Sequence, residues 1–158
     1  EWHLIGHLQT NKVKYIAPFV ALIHSIDSLK LLTEINKQGK INDRIIECLL
    51  QFHIGKEESK FGLNNSEAQQ ILESVEFKEM KHIAIVGVMG MATFTDNEDQ
   101  VREEFRTLKN SFDHLKNAYF VADNKFTHIS MGMSGDYHLA IEEGSTMVRV
   151  GSSIFGGR

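Results

Sequence analysis

The chain has 158 residues, 17 basic against 21 acidic side chains, a formal net charge of −4, and 42% hydrophobic with 24% charged residues. That balance is ordinary for a globular domain and excludes disordered, collagen-like and coiled-coil classes; it also lacks the Lys and Arg cluster that a nucleic-acid binder needs to neutralise phosphates. One Cys, no apolar run long enough to span a membrane, and an opening Glu1-Trp2-His3 unlike a signal peptide point to one cytoplasmic domain, residues 1–158, with Cys48 a small buried hydrophobe.

Taken in chain order, short apolar runs alternate with stretches of helical periodicity. His3 to Gly6 reads as a first strand and Ala21 to Ile26 as a second. Asp27 or Ser28 caps a helix through Leu29, Leu32 and Ile35 that stops near Gly39. Ile45 through Ile54 is a third strand, with His53 expected as a hydrogen-bonded core histidine. Ser66 and Gln69 form a capping box ahead of Ile71, Leu72 and Val75. Ile83 through Gly90 is a fourth strand, after which a long helix begins near Asp96 and Asn97. It places Val101, Phe105, Leu108, Phe112 and Leu115 on one face, with Glu103 and Glu104 expected in solvent. His128 through Met133, a short helix of Leu139, Ala140 and Ile141 ended by Gly144, and Thr146 through Gly151 complete the series. Nearly continuous Ile, Val, Leu and Met in the strands imply a parallel α/β sheet buried on both faces. Such a series closes as a barrel or lies open as a doubly wound sheet, and periodicity does not choose between them.

The chemistry concentrates at the end of the chain. His128-Ile129-Ser130-Met131-Gly132-Met133-Ser134-Gly135-Asp136 and Thr146-Met147-Val148-Arg149-Val150-Gly151-Ser152-Ser153 are each an apolar strand running into Gly and hydroxyl residues. Gly admits close approach of the backbone to a phosphate, Ser adds a hydroxyl donor, and main-chain N–H groups complete an anion cradle. The same residues also make ordinary strand-to-helix turns. Arg149 lies inside an apolar strand, where an unpaired guanidinium is costly, so it must meet a carboxylate, solvent or a ligand acceptor.

These residues carry a resemblance. Trp2-His3-Leu4-Ile5-Gly6-His7-Leu8-Gln9-Thr10-Asn11-Lys12, Ser59-Lys60-Phe61-Gly62, Met131 through Asp136, Gly144 through Gly151, and Ile154-Phe155-Gly156 together resemble the pyridoxal phosphate (PLP) homeostasis proteins, the YggS-like family. The matches run in order along essentially the whole chain. The resemblance implies a partial (β/α)8 TIM-type barrel like the N-terminal domain of alanine racemases, with about six of its eight βα units present. It implies PLP binding and a role in vitamin B6 supply without catalysis. It puts Ser134, Gly151 and Ser152 at the cofactor phosphate, Met133 in the same loop, and Arg149 near the pyridine nitrogen. A cationic Arg there keeps the nitrogen unprotonated and weakens the electron sink.

Family members begin with roughly two more βα units, and their Schiff-base lysine lies on the first of those strands. No Lys here follows the matching motif, and Lys56 is expected in solvent. The expectation is therefore recognition of phosphate or noncovalent PLP by this chain, with its open strand edges covered by self-association or by a missing N-terminal segment. Two rival readings remain: an alanine-racemase-like PLP enzyme fragment, which needs a second β-rich domain, and a structural module with no ligand. No metal site is expected from His3 and His7, which a strand and loop separate. Ser134 lacks the Gly-x-Ser-x-Gly elbow of a hydrolase.

Overall fold

The computed structural model describes residues 1–56 and 61–156. Six strands alternate with helices: β1 (Trp2–Leu4), α1 (Val13–Ile16), β2 (Val20–Ile26), α2 (Leu29–Ile41), β3 (Ile46–Phe52), α3 (Asn65–Glu73), α4 (Val75–Lys78), β4 (Ile83–Gly90), α5 (Glu98–Tyr119), β5 (His128–Met133), α6 (Tyr137–Glu142), β6 (Met147–Arg149) and α7 (Ser152–Phe155). The chain divides into two compact units, the first made of Glu1–Phe52 and Phe61–Val86, the second of the described residues of His53–Lys60 and Gly87–Arg158. The division falls within β4.

In the first unit the strands lie in the order β1-β2-β3-β4. β1 pairs with β2 in parallel through His3 and Leu22, and β2 with β3 through Leu22 and Glu47. In the second unit the order is β4-β5-β6, again parallel, with Gly87 opposite His128 and Ser130 opposite Met147. Strand order therefore follows chain order in both units. A doubly wound sheet reverses its order at a switch point, so this succession is the one expected of a β/α barrel. β2 and β3 bury six of their seven residues each, as parallel strands covered on both faces do.

Local chemistry sets the helix ends. Ser28 caps α2 by accepting the Leu31 amide at 3.4 Å. That helix continues to Ile41, two residues past the expected stop; Gly39 is not a left-handed cap but lies within the helix, where the His82 carbonyl is only 2.6 Å from where a Cβ would stand. The capping box of α3 is Asn64 with Glu67, a correction to the expected Ser66 and Gln69. Asn64 Oδ1 accepts the Glu67 amide at 2.9 Å, and Glu67 Oε2 accepts the Asn64 amide at 2.8 Å. The register is fixed just upstream, where the Leu63 amide donates to the Gln51 carbonyl at 2.7 Å and holds the chain extended. Val75 begins a separate helix, α4, because Ser74 both ends α3 and caps its successor.

Two burial expectations are also corrected. His53 is exposed, lying one residue past the end of β3. Glu104 is only 4% exposed, since it follows Val101 by three residues and precedes Leu108 by four, on the buried face of α5. Phe112 is half-buried and stacks on Phe126 at 4.8 Å, while the small Ser111 takes the buried position beside it. Cys48 is fully buried as a free thiol, and burial raises its pKa far above the ordinary thiol range. Among the described residues no helix is long and apolar enough to cross a membrane.

Candidate functional site

A cleft of about 900 Å³ opens within the second unit, beyond the carboxyl ends of β4, β5 and β6. Three strand-end segments form it: Ala92 to Asp96 after β4, Met133 to Asp136 after β5, and Gly151, Ser152, Phe155 and Gly156 after β6. Of the five residues expected at the cofactor, the three assigned to its phosphate, Ser134, Gly151 and Ser152, and Met133 beside them line it. Arg149 is buried at the end of β6.

Ser134 joins two of the loops. Its Oγ accepts the Gly151 amide at 3.1 Å and the Ser153 amide at 3.4 Å. A serine hydroxyl has two acceptor positions and one donor, so this arrangement leaves the O–H as the group that can meet an anion. α7 has only four residues, and what it brings to the cleft is converging amides rather than an appreciable dipole. On the β5 side the turn needs Gly132, whose φ is +94° and whose Cα sits where a Cβ would lie 2.6 Å from the Ala140 methyl. The Met133 amide donates to Asp136 Oδ1 at 2.5 Å, which fixes the loop ahead of α6. Met133 itself is half exposed at the cleft.

Arg149 is the cation of the strand ends. Its Nη1 donates to Ser130 Oγ at 2.7 Å on β5, and its Nη2 to the Gly90 carbonyl at 3.0 Å on β4. The guanidinium at the end of β6 thereby ties together three consecutive strands, through the middle of β5 and the last residue of β4. Burial pushes its pKa down to about 10, partly offset by the nearby Asp136 carboxylate, so it stays charged at neutral pH. Nε is buried without a hydrogen-bond partner among the described residues. An orphaned buried donor costs roughly 1–3 kcal/mol, which favours an acceptor supplied by a ligand.

The segment after β4 was not anticipated from sequence. It contributes Thr93, Phe94, Thr95 and Asp96 to the cleft but contains no Gly, so it lacked the signal that marked the other two loops. Phe94 and Phe155 both line the cleft while remaining 98% and 86% exposed. The motif residues Ser59 and Lys60, and the acidic pair Glu57 and Glu58, lie outside the described residues. His3 and His7 do not meet; His3 Nδ1 is 3.2 Å from His24 Nε2, and His7 Nδ1 is 3.6 Å from Asp27.

Comparison with known proteins extends this picture. The family model "Alanine racemase, N-terminal domain" matches residues 1–158. Alanine racemase of Clostridium difficile superposes with a TM-score of 0.76 over 97% of this chain and 40% of that one, at 15% identity, a likeness of fold alone. The chain is thus an α/β protein with six parallel strands of the partial TIM-barrel type, carrying a cleft beyond its strand ends. The pyridoxal phosphate homeostasis protein of Aquifex aeolicus is 40% identical over 158 residues, all of this chain and 67% of that protein. PipY of Synechococcus elongatus, whose structure has been determined with PLP bound, is 28% identical with a TM-score of 0.85 over 98% of this chain and 70% of that one. The chain belongs to the alanine racemase N-terminal-domain family and, within it, to the pyridoxal phosphate homeostasis proteins. It spans about two thirds of the length of the curated relatives it matches.

Proposed function

We propose that this chain binds pyridoxal 5'-phosphate in the cleft beyond β4, β5 and β6, and that its role is to hold and release the cofactor without catalysing a reaction on it. The observation that carries the reading is the meeting of two glycine-serine loops at Ser134, whose hydroxyl gathers the Gly151 and Ser153 amides in a cleft open to ligand. Ser134, Gly151 and Ser152 would hold the ester phosphate, and Met133 flanks it in the loop after β5. Arg149 Nε is the donor suited to the pyridine nitrogen, since it is buried and otherwise unpartnered among the described residues.

PLP, when bound, supplies an aldehyde for amines and a ring that stabilises carbanions. Arg149 acts against the second property. A charged guanidinium donates to the ring nitrogen and does not protonate it, so electron withdrawal stays weak. The PLP-bound relative and the family membership support the ligand class.

The test is a PLP titration by fluorescence quenching, run beside pyridoxal and inorganic phosphate, followed by borohydride treatment. The reading predicts saturable PLP binding, competition by inorganic phosphate, much weaker binding of pyridoxal, and no mass increase after reduction. Equal affinity for PLP and pyridoxal would overturn the phosphate assignment. A reduced adduct would overturn noncovalent binding, and alanine racemisation above background would restore the enzyme reading.

A further inference from the structure

Glu104 is a buried carboxylate that touches none of the proposed phosphate contacts. It sits on the inward face of α5, 4% exposed, and accepts three hydrogen bonds. Thr93 N donates to Oε2 at 2.6 Å, Thr93 Oγ1 to Oε1 at 2.9 Å, and Gln100 Nε2 to Oε1 at 2.9 Å. The Thr93 hydroxyl is itself an acceptor for the Lys56 amide at 2.8 Å, and Gly55 packs against the same residue, with a would-be Cβ only 3.1 Å from Thr93 Oγ1. One side chain thus fixes Thr93 through both backbone and hydroxyl, and through it the start of the segment after β3. Hydrogen bonds to an ionised acceptor are the strong ones, and a buried carboxylate holds its place only when its lone pairs are met in this way.

What Glu104 holds is a wall of the cleft. Thr93 opens the run Thr93-Phe94-Thr95-Asp96, all four lining residues, and three positions upstream the Gly90 carbonyl accepts the Arg149 guanidinium. The segment after β4 is therefore pinned at its root by the Arg149 guanidinium and in its middle by the buried Glu104 carboxyl group. The phosphate-holding residues belong to the other two loops, after β5 and β6. A ligand that is only a phosphate engages those two loops, whereas one that also carries a ring reaching toward Arg149 comes alongside the segment Glu104 fixes.

We infer that Glu104 is a positioning residue for the ring end of the cleft, acting through Thr93 to make the site select a phosphorylated aromatic ligand over phosphate alone. The inference rests on the proposed PLP binding and adds to it a selectivity that the phosphate loops do not supply. Glu104→Gln keeps the volume but replaces one acceptor oxygen by an NH2 group, which cannot accept from Thr93. Thr93→Val removes the hydroxyl, and Thr93→Ser retains it.

The experiment measures PLP affinity by fluorescence titration and inorganic phosphate affinity by competition, for the wild-type chain and the three variants, with urea denaturation of each. The expected result is a loss of PLP affinity of about three- to tenfold in Glu104→Gln and Thr93→Val, the size of one ordinary hydrogen bond. Phosphate affinity should stay within about twofold, and Thr93→Ser should match the wild type. Unchanged PLP affinity in both Glu104→Gln and Thr93→Val, even with lowered stability, overturns the inference and leaves the proposed function standing. A parallel loss of both ligands also overturns it, since that marks a general loosening of the site. Failure of the wild type to bind PLP overturns the proposed function and this inference together. If Glu104→Gln does not fold, the comparison of Thr93→Val with Thr93→Ser decides the matter by the same criteria.

Discussion

Replacing Ser134 by Ala removes one hydroxyl that accepts two main-chain amides, from Gly151 at 3.1 Å and from Ser153 at 3.4 Å. Ser134 is half-buried, and Gly151 and Ser153 are exposed, so water can solvate both released amides. The stability lost on folding should therefore stay below about 1 kcal/mol, the lower part of the range for a single hydrogen bond. Ligand binding is another matter. A hydrogen bond from the hydroxyl to a charged phosphate contributes about 1.5–3 kcal/mol, which converts to a loss of affinity of about 12- to 150-fold. Isothermal titration or fluorescence quenching with PLP, beside urea unfolding, separates the two effects. Affinity for pyridoxal, which lacks the ester, should not change. A variant that binds PLP as tightly as the wild type, or that loses PLP and pyridoxal equally, would refute the assignment of Ser134 to the phosphate.

Other substitutions probe the frame around the cleft. Gly132→Ala puts a methyl 2.6 Å from the Ala140 Cβ at a φ of +94°, and should destabilise the chain by about 2–4 kcal/mol in urea unfolding; a change below 1 kcal/mol would contradict the packing described. Arg149→Lys keeps a charge but cannot span both Ser130 Oγ and the Gly90 carbonyl, so stability should fall by about 1–3 kcal/mol with weakened PLP binding. Cys48 supplies a pH test. Its folded-state pKa is raised by burial, so its contribution is complete below the unfolded thiol value of about 8.5 and is lost as pH rises, because the unfolded chain ionises first. Between pH 7.5 and 9.5 the wild type should lose about 1.4 kcal/mol relative to Cys48→Ala, and the thiol should resist iodoacetamide until the chain unfolds.

The parts of the fold that were legible in sequence are those where burial dictates composition. Ile83–Gly90 and His128–Met133 end where expected, because a parallel strand covered on both faces must be apolar throughout and is bounded by turn residues. β1 and β6 are shorter than expected, each only three residues, since apolar composition continues past the last paired residue. Ser66-Gln69 and Asn64-Glu67 satisfy the same capping pattern, and the choice between them was made by the Leu63 to Gln51 hydrogen bond, a long-range pairing that no local window contains.

The site divides along a similar line. Ser134, Gly151 and Ser152 stood out because a loop that gathers amides on an anion needs small and hydroxylated residues. Thr93 and Glu104 did not stand out, because Ala92-Thr93-Phe94-Thr95 carries hydroxyls but no Gly and a Glu beside another Glu on a helix reads as surface. The available signal was position: Glu104 shares a helix face with Val101 and Leu108, and a carboxylate at a buried position requires donors.

The most direct test of the account is a crystal structure of this chain with PLP bound. The ester phosphate is expected beside Ser134 Oγ and the Ser152 amide, close to the Gly151 backbone, with the pyridine nitrogen within hydrogen-bond distance of Arg149. A phosphate lodged at any other strand end, or a ring turned away from Arg149, would contradict it.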